Sequence, residues 1–189
     1  MVIRYEFNLD KAIAAMVYLV HRAGSIGKVK LMKLLYLADR DHFLRHGAPI
    51  TGDDQYAMPH GPVPSASLNA LNGDVRGAER VFKFLHVDDY TVMAKAPLSS
   101  IDLTDDETAT LDEVFDQYGA ITTWALVDLT HELPEYVDVS VPGSSTPIPY
   151  ELILKHHGSD QQYSKNRAVI SPRMAAYLTS PFDQSEPDL

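Results

Sequence analysis

Apolar residues recur at helical spacing through the first quarter of the chain. Ile13, Met16, Val17 and Val20 share one stripe, Asn8 or Asp10 stands where a helix cap belongs, and Gly24 follows where the stripe stops. A second stretch interleaves Lys28, Lys30 and Lys33 with Leu31, Met32, Leu34, Leu35, Leu37 and Ala38. It predicts a helix running to His46, stopped by Gly47 and Pro49. Apolar residues cover much of its girth, which predicts a central position in the fold.

Beyond that point the runs shorten. Thr51–Pro64 reads as a loop with one extended piece at Gln55–Met58, and Ser65 or Ser67 opens a short helix through Leu71. In VFKFLHVDDYTVMAKAP, apolar residues flank the turn-forming pair Asp88-Asp89, which predicts a β-hairpin of Val81–His86 with Tyr90–Lys95. Thr104 and Glu107 form a capping box ahead of the stripe Leu111, Val114, Phe115 and Tyr118, and Gly119 ends that helix. Thr122 or Thr123 caps another helix through Trp124, Leu126, Val127 and Leu129. PGSSTPIPY reads as a loop and Glu151–His157 as a short helix. The chain is therefore expected to be mainly α, a compact helical domain with a small antiparallel β-hairpin. That domain is expected to span residues 1–180, with a disordered tail at 181–189.

Composition narrows the class. With 189 residues and 45% hydrophobic content the chain can bury one well-formed core. No apolar run approaches the ~20 residues of a membrane span, and the N-terminal stripe, carrying Asp10 and Lys11, reads as an amphipathic helix and not a signal peptide. Cysteine is absent, which excludes disulfides and thiol chemistry and fits a reducing cytoplasm. The net charge of −10 is unevenly spread: residues 1–50 carry eight basic groups against four acidic ones. Ala96–Leu154 holds no lysine or arginine but twelve acids, among them Asp102, Asp112, Glu113, Asp116 and Asp138. Such a field repels nucleic-acid phosphate and draws in a cationic partner, although a solvated helix face has the same composition.

Catalytic signals are weak. His42 and His46 are four apart on one helix face, the spacing of two metal ligands, with Asp39 and His60 as further donors. No glutamate sits between them to activate water, so a metal-dependent hydrolase using His42 and His46 is the lesser alternative. GSIGK lacks the spacing and hydroxyl of a phosphate loop, and HELPE is not H-E-x-x-H. No catalytic residue, cofactor or metal is expected. A helix–turn–helix using Lys28, Lys30 and Lys33 on DNA phosphates is opposed by that helix's apolar girth and by the overall acidity. In His60-Gly61-Pro62-Val63-Pro64-Ser65, the prolines rigidify the chain and Gly61 supplies a backbone angle that other residues resist. A rigid corner of this kind also makes a low-entropy platform for a partner.

Two blocks carry a resemblance. Lys30, Leu31, Lys33, Leu34, Leu35, Tyr36 and Ala38, followed by Gly61-Pro62-Val63, match the pattern of the Panacea, or SocA-like antitoxin, domain. The later run LTDDETATLDEVFDQYGAITTWALVDLTHELPEY is similar to that family's second helix pair, with Leu129, Thr130, His131, Pro134 and Tyr136 in its closing motif. The resemblance spans roughly residues 9–140 and departs from the family at one place, where Glu135 stands for an aromatic and Tyr136 comes one position late.

The resemblance implies a bacterial or prophage antitoxin of a toxin–antitoxin pair, a cytoplasmic protein without enzymatic activity. Its partner would be a cognate toxin protein encoded by a neighbouring gene and bound directly. Toxins of such systems often inhibit translation, some as tRNA-modifying enzymes resembling small alarmone synthetases. The alternative it implies is a proteolytic adaptor that delivers the toxin to a cytoplasmic protease. Partner contacts are expected at Tyr36, Asp39, Tyr56, His60, Asp112, Glu113, Asp116, Trp124 and His131. If the toxin acts on tRNA, the acids of Asp102–Asp138 would occupy its basic groove.

Overall fold

The computed structural model describes residues 3–158, and all that follows concerns those residues. Asn8 caps α1 (Leu9–Ala23), its side-chain oxygen accepting the Lys11 N–H at 3.1 Å. Gly24 ends α1, and the chain crosses β1 (Ser25–Gly27) into α2 (Lys28–His46), which stops at a left-handed Gly47. Every residue from Leu31 to Asp39 is buried, so α2 is the axis that its apolar girth predicts.

A hairpin follows, formed by β2 (Gln55–Met58) and β3 (Gly61–Pro64), and then α3 (Ser65–Asn72). Asp53 caps α3 from the preceding loop, accepting the N–H groups of Ala66 at 2.8 Å and Ser67 at 2.6 Å. A tight turn at Ala78–Arg80 leads into α4 (Val81–Phe84), then β4 (Leu85–Val87) and β5 (Thr91–Ala94). The Thr104–Glu107 capping box opens α5 (Asp105–Tyr118) as expected, and Thr122 caps α6 (Thr123–His131). The chain closes with α7 (Pro134–Val137), β6 (Thr146–Ile148) and α8 (Tyr150–His157).

The fold is mainly α, but its strands exceed the one predicted hairpin. Two antiparallel three-stranded sheets form, in the orders β1-β5-β4 and β3-β2-β6. The hairpin expected to begin at Val81 begins at Leu85. Ala78, Val81 and Leu85 are buried at spacings of three and four, a helical period that carries the preceding turn onward. Of the second sheet, β2 is the extended piece expected at Gln55–Met58, while β3 and β6 lay in stretches read as loops. Pro62 and Pro64 sit on its edge strand β3, and Pro147 on the opposite edge β6, positions where a missing N–H is tolerated.

Apolar residues from α1, α2, α3, α5, α6 and α8 join in one buried cluster. No described helix is long and apolar enough to cross a membrane. The expected domain boundary at 180 and the tail at 181–189 lie outside the described residues.

Candidate functional site

The acids expected to meet a partner begin on α5, and Asp112, Glu113 and Asp116 each pair with a basic residue of α1 or α2 while staying partly or largely exposed. Arg22 of α1 pairs with Asp112 and, at 2.6 Å, with Asp116, while its guanidinium lies 4.7 Å over the Phe115 ring. Tyr18 donates to Asp112 at 2.8 Å, Arg45 of α2 pairs with Glu113, and Lys11 pairs with Glu107 at 2.8 Å. The basic first quarter and the acidic later stretch thus meet along one seam, where Glu107, Asp112, Glu113 and Asp116 find cations. Lys30 belongs to the same seam, donating to the carbonyls of Gly119 and Ile121 at 2.7 and 2.6 Å. Asp112, Glu113 and Asp116 are therefore already committed to cations of their own chain.

On the opposite side of α2, the residues that carry the family resemblance converge on one point. Met58 pairs with Gly61, so the β2–β3 loop is only Pro59-His60, and the positive backbone angle falls on Gly61 at φ +91°. A Cβ there would sit 2.7 Å from Thr130 Oγ1, 3.1 Å from Lys33 Cε and 3.2 Å from His131 Cδ2. Lys33, buried beneath the strand, donates to the Pro62 carbonyl at 2.7 Å. Burial drives its amine down from 10.5 to about 7. His131 stacks on Tyr136 with ring centroids 4.8 Å apart and planes 10° from parallel, and Tyr136 donates to the Met58 carbonyl at 3.0 Å. Burial, and then the nearby Lys33 charge, lower the affinity of His131 for a proton. Lys33, Gly61, Pro62, Thr130, His131 and Tyr136 together clasp the hairpin onto α2 and α6.

What the clasp presents outward is His60 and Trp124. Trp124 is 63% exposed, and its ring meets His60 edge-on at 5.6 Å and 70°. His60 is exposed at the tip of the two-residue loop. Tyr56 stands half-buried on β2, on the opposite face from buried Gln55 and Ala57. Asp128 follows Trp124 one turn on along α6 and Glu132 stands at the C-cap of that helix, and both are exposed. Of the nine expected contact residues, His60, Trp124 and His131 are the ones that gather here.

Tyr36 and Asp39 lie inside the fold. Both have 0% exposure, so a partner's atoms do not reach them in this structure. Tyr36 donates to Glu135 at 3.0 Å. Asp39 accepts the Thr51 N–H at 2.9 Å, the Thr51 hydroxyl, and Gln55 Nε2 at 3.2 Å, while burial raises its carboxyl from 3.8 to about 7. The Asp39 network ties α2 to the start of β2 and onward through Gln55 to Tyr150 of α8 at 3.3 Å.

Glu135, the departure from the family pattern, is a buried acid with three partners. Arg40 Nε lies 2.8 Å away, Tyr36 donates at 3.0 Å, and His157 Nε2 lies 2.6 Å away. Burial pushes its carboxyl up, but the His157 hydrogen bond and the Arg40 charge outweigh that and hold it below its usual range. The sequence flagged the position but not its partners, because His157 lies on a different helix.

Among the described residues the metal alternative does not assemble. His42 Nδ1 donates to the Ala48 carbonyl at 2.6 Å, and its ring lies against His46 at a 4.5 Å centroid distance. Asp39 is engaged by Thr51, and His60 sits at the hairpin tip beside Trp124. Among the described residues no three His, Asp or Glu side chains are grouped to hold a metal ion. The DNA-reading alternative loses Lys30 to the α5 seam and Lys33 to the clasp.

Comparison with known proteins marks out the same segment. The family model described as Antitoxin SocA-like, Panacea domain, matches residues 31–135, more than half of the chain. No curated protein and no solved structure matches it.

Proposed function

The chain belongs to the SocA-like antitoxin family with a Panacea domain, and from that premise we propose that it neutralises a cognate toxin by direct binding. The observation that carries this reading is the clasp. The residues of the resemblance spend their side chains on fixing a short hairpin against α6, and what they leave in solvent is an aromatic pair, His60 and Trp124. An exposed tryptophan beside a short, clasped hairpin is the kind of anchor that dominates protein interfaces, and a hairpin already fixed in place loses little conformational entropy when it is covered. The action proposed is steric: the toxin, a translation inhibitor encoded by a neighbouring gene, is held without covalent chemistry.

The test is growth rescue. The neighbouring reading frame is induced alone and then with this protein, and complexes are captured from the same cells. Relief of toxicity with co-purification is expected. Relief without a stable complex would replace binding by delivery to a protease, and a harmless neighbour would overturn the assignment of that neighbour as the toxin.

A further inference from the structure

The charge of this protein is spent unevenly between two faces, and the difference points to the chemistry of its partner. Along α5, Glu107, Asp112, Glu113 and Asp116 are engaged by Lys11, Arg22 and Arg45. Trp124 and Asp128 on α6 and Glu132 at its C-cap fall at successive four-residue steps, so they lie along one side of the helix, and all three are exposed. The segment bearing them, Ala96–Leu154, contributes no lysine or arginine of its own. Lys33 is close to this face but is buried and turned to the Pro62 carbonyl. The face therefore offers an indole with an open surface, fixed at its edge by His60 and bordered by two carboxylates.

We propose that this face of α6 is the docking surface for an arginine-bearing basic segment of the partner protein. A guanidinium stacks on the open face of Trp124 while its N–H groups reach toward the carboxylates of Asp128 or Glu132. Arginine fits better than lysine because its planar cation stacks on an aromatic ring and offers two parallel donors to a carboxylate. The proposal rests on the antitoxin reading for the identity of the partner, but not for the chemistry of the surface. It relocates the acidic contact expected at Asp112, Glu113 and Asp116 to the carboxylates one helix further on.

Trp124 is the only tryptophan in the chain, so its emission reports this surface alone. The full-length protein is titrated with an arginine-rich peptide and a lysine-rich peptide of equal length, and then with the protein encoded by the neighbouring gene, itself free of tryptophan or made so. Trp124 emission is expected to change with the arginine peptide more than with the lysine peptide, and Asp128→Lys with Glu132→Lys is expected to abolish the response. With the neighbour-encoded protein, Trp124→Ala is expected to weaken binding about 30-fold and Trp124→Phe to restore part of it. The double lysine variant should slow association about tenfold, and more steeply at low salt.

Each circular dichroism melt should match wild type, since all three side chains are in solvent. A neighbour that binds normally to Trp124→Ala and to the double variant would overturn the surface while leaving the antitoxin reading intact. A neighbour that does not bind at all, with the peptide response present, would overturn that reading and leave the surface. Emission that changes with the protein's own concentration would assign the face to a second copy of this chain and overturn the proposal.

Discussion

The central helix α2 is held on two sides by charged residues in opposite settings. Against α5, its Arg45–Glu113 pair sits at the rim beside the Arg22–Asp116 pair of α1, and the Glu113 and Asp116 side chains remain 60% and 71% exposed. Against the hairpin and α7, Lys33 and Tyr36 are sealed from water, and the acid that meets Tyr36 and Arg40 is Glu135 at 0% exposure. Water screens and competes with the first set, so each pair adds little. The second set has no water to fall back on, so each group depends wholly on its protein partner. The same residue types thus serve as replaceable trim on one side and as fixed pins on the other.

That contrast is broken most directly by Glu135→Ala. It strips Tyr36, Arg40 and His157 of a shared acceptor, and a loss of about 3–5 kcal/mol in urea unfolding is expected, the range for a broken buried pair. A loss under about 1 kcal/mol would place this cluster in the same class as the α5 seam.

An intermediate effect is expected from pH. Lys33 binds its proton less well when folded, at about 7 against 10.5. Between those values the unfolded chain holds more protons, so this group makes stability rise with pH through that window. Asp39 has the opposite sign: its carboxyl is raised from 3.8 to about 7, the folded chain holds more protons there, and stability falls as pH rises across that window. Together they place a dip near neutral pH, about 1–2 kcal/mol deep after solvent relaxation around the buried groups. Thermal melts against pH are the check: Lys33→Met should flatten the alkaline limb and Asp39→Asn the acid limb.

The smallest effect belongs to the seam. Arg22→Gln combined with Arg45→Gln should cost about 1 kcal/mol or less, and the difference from wild type should shrink further in 1 M salt. A large, salt-independent loss would erase the distinction between the two sides.

The helices were legible because their signals are local. Asn8, Thr104 and Thr122 cap the helices expected of them, and Gly47 ends α2. Of the second sheet only β2 was legible, as the extended piece Gln55–Met58; β3 and β6 were not, because prolines read as breakers unless an edge-strand position is already known, and β6 lies far along the chain from its partner β2. The seam was half legible. The opposite charges of the two regions were visible, but that they meet depends on how α1, α2 and α5 pack. At the site, His131 came from the family motif and His60 from the rigid Gly/Pro loop, whereas the exposure of Trp124 could have been read from helical phase. Leu126, Val127 and Thr130 are the buried residues of α6, and Trp124 falls well away from their stripe. The burial of Tyr36 and Asp39 was not legible, because their partners Glu135 and Thr51 lie on other parts of the chain.

The Glu135–His157 contact also governs how this protein can be recombined with its relatives. The matched segment ends at Glu135, and its partner His157 lies in the following helix, beyond it. A graft that exchanges everything after residue 135 would leave a buried carboxylate of one parent facing whatever the other parent brings to that place. A workable crossover must carry Tyr36, Arg40, Glu135 and His157 as one inherited unit, which makes the last described helix a hereditary companion of α2 and not an interchangeable appendage.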